Sequence, residues 1–437
     1  MLNSRSPILP CMLLALLAVT PTLSADWNRF RGPNGNGIVA ESAVPSEWSS
    51  QKNLRWRTEL PGSGTSSPVI SGDRVYLTCY TGYGLDSGNP GNPEDLVRHL
   101  IAFDRGTGKE VWRRSVPGTK NEDPFRGFIL QHGYASSTPV VDGNRVIALM
   151  GKSGLFAFDR DGQQLWQVDL GQESDPAKWG DATSPVVIDG VVIVDAAVLG
   201  HQLMGIDVAT GETIWTISDD SYTNAWATPA EIQSNGKSIA LIHIPKKVLA
   251  IDPKSGQTVW TCTSPLQDSA CGSIVTRDGI AYLMGSRVGQ GMAVRCDGNG
   301  DVSESKVVWQ RQIRSGITTP LIVGERMYWT SSGIFLCANL ADGEYAYRTR
   351  LPRKGGPTGG FPNADYSSAI AAGERIFQFT RNGESYVVKA GDSFEVVAHN
   401  APFDDDTSAF SSTPAIDGDQ LFIRSEKYLY CIGDAAK

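Results

Sequence analysis

The sequence predicts an all-β fold: an eight-bladed propeller of four-stranded antiparallel blades, closed by an N-terminal strand that completes the last blade. Three observations predict it. A Ser/Thr-Pro step recurs at Pro68, Pro139, Pro185, Pro229, Pro320 and Pro414, with degenerate copies at Ile274 and Ala369. After a first interval of 71 residues the spacings are 46, 44, 45, 46, 49 and 45. Trp112, Trp166, Trp215, Trp260 and Trp309 close successive units, and Tyr347 and Val397 take the same place less distinctly. Trp56 stands before the first step, whereas the last unit stops at Cys431-Ile432 with no Trp strand of its own. The displaced strand at one end fits the vacancy at the other, which removes the open edge of the final sheet.

One unit shows the logic. From Ser136 to Leu170 the chain runs from the Pro139 step to a turn at Asp142-Gly143, then an apolar run from Val146 to Met150. A break at Gly151–Gly154, a second run from Leu155 to Phe158, the Asp161-Gly162 turn and Leu165–Val168 follow. Short β-rich runs between Gly/Asp turns read as hairpins. Four such strands cannot bury both faces alone, so the unit has to repeat. Asp104, Asp159, Asp207 and Asp252 precede the hairpin turns, where an Asp accepts local backbone N–H groups.

Residues 1–25 read as an export leader: Arg5, an apolar run from Ile8 to Val19, then small residues to Ala25. That run is short for a transmembrane helix, and no later stretch reads as membrane-spanning. Residues 26–50 are expected to be an irregular extension lying against the propeller that occupies 51–437, because Trp27, Phe30 and Trp48 would forfeit burial in solvent. Arg29 and Arg31 are expected to pin this extension to acidic blade turns. Blade one carries a long Gly/Pro/Asn insertion between Cys79 and His99, and the 117–135 connection is also long. Long loops on a rigid scaffold are common places for function.

The strings LIAFDRGTGKEVWRR, LMGIDVATGETIWTI and VLAIDPKSGQTVWTC resemble the repeat of pyrroloquinoline-quinone-type (PQQ-like) propellers across about 53–432. The opening ADWNRFRGPNGNGI is similar to the start of secreted single-propeller proteins of planctomycete type. The resemblance implies an eight-bladed propeller in a family with both quinoprotein dehydrogenases and a non-enzymatic outer-membrane assembly lipoprotein. For the dehydrogenases it implies a quinone over the central mouth, a bound calcium, a catalytic Asp and often an adjacent-cysteine disulfide. This chain has no adjacent cysteines, and none of its Asp residues aligns with that catalytic Asp.

The formal charge of −8 becomes −9 without Arg5, which argues against non-specific nucleic-acid binding. Ser136-Ser137-Thr138 and Ser411-Ser412-Thr413 repeat at blade starts, so they read as structural, and no Gly-x-Ser-x-Gly elbow occurs. The five histidines are scattered and give no zinc pattern. Asp297, Asn299, Asp301 and Ser303 match four positions of a calcium loop, but Val302 and Val308 replace its Gly and Glu, so a decorated hairpin is expected. Cys337 and Cys431 fall in small inward slots; Cys262 and Cys271 flank one inter-blade loop and could be linked in an oxidising compartment, although spacing does not fix connectivity.

The turns between second and third strands should ring the central mouth. Lys152, Arg287 and Arg381, with Trp179 and Trp226, are the expected ligand-binding residues: cations for anionic groups and rings for flat or sugar-like faces. The functional expectation is a periplasmic or secreted, non-enzymatic propeller. It would bind a partner protein or an extracellular ligand, including envelope carbohydrate, through its loop-rich face. The alternative is a PQQ-dependent oxidoreductase with calcium, acting on an alcohol or sugar.

Overall fold

In the computed structural model, which describes residues 26–266, 269–285, 289–314, 316–352 and 365–434, the described strands form eight sheets. Each blade starts at a Ser/Thr-Pro step or its degenerate copy. Blade two is typical: Val140–Asp142, Arg145–Leu149, Leu155–Asp159 and Gln164–Val168, antiparallel throughout. The expected leader, residues 1–25, lies outside the described residues.

Closure follows the displaced strand. Leu54–Glu59 pairs antiparallel with Tyr428–Ile432, placing Trp56 opposite Cys431. At that point, as at Trp112, Trp166, Trp215, Trp260 and Trp309, the register shifts by a bulge. A bulge re-aims a side chain, and each of these indoles is aimed at the next blade. Trp112 Nε1 donates to the Arg160 carbonyl at 2.7 Å, Trp215 to that of Pro253 at 2.8 Å and Trp309 to that of Leu340 at 2.8 Å. The following blade presents its turn glycine to the ring, as Gly256 does to Trp215. The Trp and Gly of the repeat are thus two halves of one contact between blades.

The turn aspartates act as expected: Asp104 Oδ1 accepts from the Thr107 N–H at 2.8 Å and its hydroxyl at 2.7 Å, and Asp207 accepts from Ala209 and Thr210. These bonds hold both carboxyls below the usual range. The residues before the prolines form a ring. Ser67 N–H donates to Thr138 Oγ1 at 2.9 Å, Thr138 N–H to Ser184 Oγ at 3.0 Å and Ser184 N–H to Thr228 Oγ1 at 3.3 Å. The chain of bonds continues through Ser273, Thr319 and Ser368 to Thr413. At the six Pro steps the proline next in sequence keeps the preceding residue extended, and at every step but the last the neighbour's hydroxyl satisfies an N–H that the sheet does not reach.

The N-terminal extension crosses beneath this ring. Trp27 and Asn28 accept from Ile70 and Val141 through their carbonyls, and Ile38–Val39 pairs parallel with Ile370–Ala372. Arg29 lies 3.6 Å from Glu231, an acidic partner but on a strand instead of a turn. Arg31 corrects the expectation: it is fully buried and donates to the carbonyls of Pro320, Ala369 and Asn36 instead of to a carboxylate. Gly300–Asp301, within the calcium-like run, adds a parallel edge to blade four opposite Trp260 and Thr261, while Asp297 pairs with Lys306 at 3.1 Å. All six described cysteines are free thiols, so Cys262 and Cys271 are not linked.

Candidate functional site in the propeller axis

Two positions before each ring member, with one residue between, lies a more variable position nearer the loop-rich face: Thr65, Ser136, Ala182, Trp226, Cys271, Ile317, Tyr366 and Ser411. Together the two tiers line an axial cavity of about 370 Å³, with Phe30 of the N-terminal extension also in its wall. That volume is within the range of small-molecule sites. The repeated tier supports the fold, and the variable tier gives the cavity its chemistry.

One side of the mouth is aromatic. Trp179 and Trp226 lie with ring centroids 5.3 Å apart at 31°, and Phe128 meets Trp179 edge-on at 4.5 Å. The Trp179 segment is held at several atoms. Asp175 accepts the Trp179 N–H at 2.7 Å and the Ala177 N–H at 2.8 Å. His132 Nε2 donates to the Trp179 carbonyl at 2.9 Å, and Trp226 Nε1 donates to the Gly180 carbonyl at 2.7 Å. These bonds fix the ledge before any ligand arrives, which lowers the ordering cost of binding.

His132 uses its other nitrogen, Nδ1, to accept from Ser136 Oγ at 2.8 Å. Burial pushes the imidazole down to about 4, so it is neutral at pH 7 and its Nε2–H is committed to a carbonyl. That arrangement orients the Trp179 loop and makes a weak general base.

The structure brings Trp179 and Trp226 together at the mouth but places Lys152 elsewhere. Lys152 is buried: its ammonium donates to the Asn121 carbonyl and Ser174 Oγ, both at 2.7 Å, and lies 3.4 Å from Asp123. It ties the 117–135 and 171–182 connections together outside the cavity wall. Arg381 lies at the cavity's edge. It donates to Ser411 Oγ at 2.7 Å and the Gln131 carbonyl at 3.3 Å, and sits 5.7 Å from the Tyr366 ring. Arg287 lies outside the described residues.

The long blade-one insertion does not stand open. Tyr80, Tyr83, Leu96, Ile129 and Tyr134 from the two long loops form a satellite core, with Tyr134 donating to the Asp123 carbonyl at 2.7 Å. Beside it, Arg98 grips Glu122 in a bidentate pair at 2.8 and 2.7 Å. The loops therefore brace the aromatic ledge. Sequence reading missed His132, Asp175 and Phe128 as parts of one assembly, because they are local only after the blades close.

The quinone and calcium of the alternative reading need several oxygen donors around a cation and cationic partners for the quinone carboxylates. Among the described residues, no group of three His, Cys, Asp or Glu side chains is placed to hold a metal ion. Asp365 is the carboxylate among the described lining residues; Arg381 lies at the mouth, and the buried Arg31 and Arg424 lie deeper, beside the ring. The described residues do not fit the calcium.

The family model described as outer membrane protein assembly factor BamB matches residues 95–236 and 245–437. The chain belongs to this PQQ-like, BamB-type propeller family. The glycerol dehydrogenase large subunit of Gluconobacter thailandicus is 27% identical over 46% of this chain, and the match spans only 33% of that relative. BamB from Moraxella catarrhalis superposes with a TM-score of 0.59 at 12% identity, covering 86% of this chain and 97% of that one. A europium-containing methanol dehydrogenase superposes with a TM-score of 0.65 at 10% identity, covering 94% and 98%. At such identity the superpositions show the fold alone. An outer membrane protein assembly factor and dehydrogenases share this architecture, and fold does not choose between them.

Proposed function

We propose that this chain is an exported, non-enzymatic propeller that takes a small ring-bearing ligand into its axial cavity from the loop-rich face. One observation carries the reading: the Trp179–Trp226 ledge, pinned at the Trp179 N–H and carbonyl, borders an open cavity of about 370 Å³. Pre-set rings favour a flat or sugar-like face, and Asp365, Ser136 and Thr65 supply polar contacts beside them. Likeness to BamB supports an extracytoplasmic setting and also a protein partner at the same rim. The planctomycete-type likeness of the N-terminal segment belongs to the same proposal.

The test is titration calorimetry of the purified protein against panels of monosaccharides, nucleosides and small aromatics. Saturable binding that Trp179→Ala weakens by about tenfold or more supports the reading; binding unchanged by Trp179→Ala removes it. The similarity to a glycerol dehydrogenase subunit favours one second reading, oxidation of a polyol with a supplied quinone. Dye reduction by the protein after addition of quinone and calcium would replace the binding role with that activity.

A further inference from the structure

Below the ledge the cavity changes character. Seven ring hydroxyls, Thr138, Ser184, Thr228, Ser273, Thr319, Ser368 and Thr413, each already accept a backbone N–H. A hydroxyl whose oxygen is occupied in this way keeps its own hydrogen to donate. All seven line the cavity and are at most 8% exposed. The base of the cavity is therefore rich in O–H donors.

The second strand adds to this at the same level. Leu321 pairs with Tyr328, so Thr330 lies level with Thr319. Thr330 is 2% exposed, lines the cavity, and its Oγ1 has no hydrogen-bond partner. The equivalent position in blade eight, where Ala415 pairs with Phe422, is Arg424. This fully buried guanidinium donates to the Ser66 carbonyl and hydroxyl and to Cys79 Sγ, and its Nε has no partner. Arg31 donates to the carbonyls that follow Thr319 and Ser368, so its charge sits immediately under the ring. Among the described residues neither guanidinium forms an ion pair. Burial lowers both, Arg31 to about 9.

Glu426 attracts Arg424 without an ion pair between them, and no acidic side chain among the described residues is a partner of Arg31. The blade-three position at this level is Asp195, which burial raises to about 8, and His243 in blade four is held neutral, near 4. At pH 7 the ring level thus holds two positive charges that form no ion pair among the described residues, a neutral carboxyl and a neutral imidazole. A buried charge without a partner is costly, and an anion in the ring would offset it.

We propose that the deep end of the axial cavity is an anion seat, taking a compact carboxylate or a halide-sized ion on the hydroxyl ring and Thr330 between Arg31 and Arg424. This inference rests on the cavity being the ligand site and assigns that ligand an anionic end, directed inward, with its ring on the Trp179–Trp226 ledge. Phosphate-sized anions have no comparable cradle of backbone N–H groups here, since those N–H groups are spent on the ring hydroxyls.

The probe is sodium formate, titrated calorimetrically into the full protein in halide-free buffer at constant ionic strength, then repeated with sodium chloride. Saturable formate binding is expected, and Thr330→Val should weaken it by about tenfold or more, the scale of a hydrogen bond to a charged group. Thr330→Val removes only a hydroxyl that bonds nothing, so the fold survives it. Trp179→Ala should leave formate binding intact, which separates this seat from the ledge: loss of ring-ligand binding alone leaves the seat standing. Chloride binding with the same Thr330 dependence identifies an inorganic ion as occupant; formate without chloride identifies a ligand carboxylate. Absence of binding by both anions, or binding untouched by Thr330→Val, overturns the proposal.

Discussion

Trp56 lies against Gly108: its indole donates to the Arg105 carbonyl at 2.9 Å while its ring covers the Gly108 Cα. The first residue joins blade eight and the second belongs to blade one, so this contact closes the circle. Gly108 has φ +71°, and a Cβ there would fall within the ring of Trp56.

Gly108→Ala is therefore expected to lower stability by about 2–4 kcal/mol, combining overpacking with a left-handed alanine. Trp56→Phe keeps the ring and loses one hydrogen bond, for about 1 kcal/mol. Urea midpoints of both variants against the parent measure the order, and equal midpoints for the two variants would contradict the closure contact.

Lys152→Met removes the ammonium that neutralises Asp123, whose Oδ2 already lacks a partner. A buried carboxylate left alone costs about 3–5 kcal/mol. The expected result is a large fall in urea midpoint with little change in ligand affinity for whatever fraction stays folded. Lost affinity with unchanged stability would return Lys152 to the ligand site.

Trp226→Phe keeps an aromatic ring at the mouth and deletes the N–H that holds the Gly180 carbonyl. Ring-ligand affinity should fall by a factor of about 3–10, mainly through a looser Trp179, at a stability cost of about 1 kcal/mol. Calorimetry beside a denaturation curve separates the two effects.

Asp195 gives a pH signature. Burial raises its carboxyl from the ordinary 3.8 to about 8, so between pH 4 and 8 the folded state holds a proton that the unfolded chain releases. Stability contributed by this group is complete below pH 4 and is lost as pH rises toward 8. His132 and His243, both held near 4, act on the acid side, where stability is lost as pH falls below 6.5. Asp195→Asn, with its side-chain oxygen still able to accept from Ala197, should gain on the parent progressively from pH 4 to 8. A constant difference across that range would show that Asp195 is ionised in the fold.

The repeat was legible because its parts are local in sequence. A Pro, a hairpin Asp, a turn Gly and a Trp recur every 45 residues or so, and each has a short-range or neighbour-blade task. The aromatic ledge was half legible: Phe128, Trp179 and Trp226 stand out as large rings on one face, but His132 and Asp175 as its supports do not, since nothing in their own stretch shows that task. Lys152 was misplaced because a charged turn tip looks solvated until two neighbouring connections are seen to bury it.

By itself, the sequence determined the blade count, the borrowed strand and the hydroxyl before each proline, all set by periodicity and backbone chemistry within about one blade. Only the tertiary structure decided that these hydroxyls link blade to blade from Ser67 to Thr413, that Arg31 reaches Pro320 across 289 residues, and that two buried guanidiniums beside them form no ion pair among the described residues. Circular closure is the physical reason: it brings equivalent positions of every blade to one axis, where their spacing in the chain no longer measures their separation.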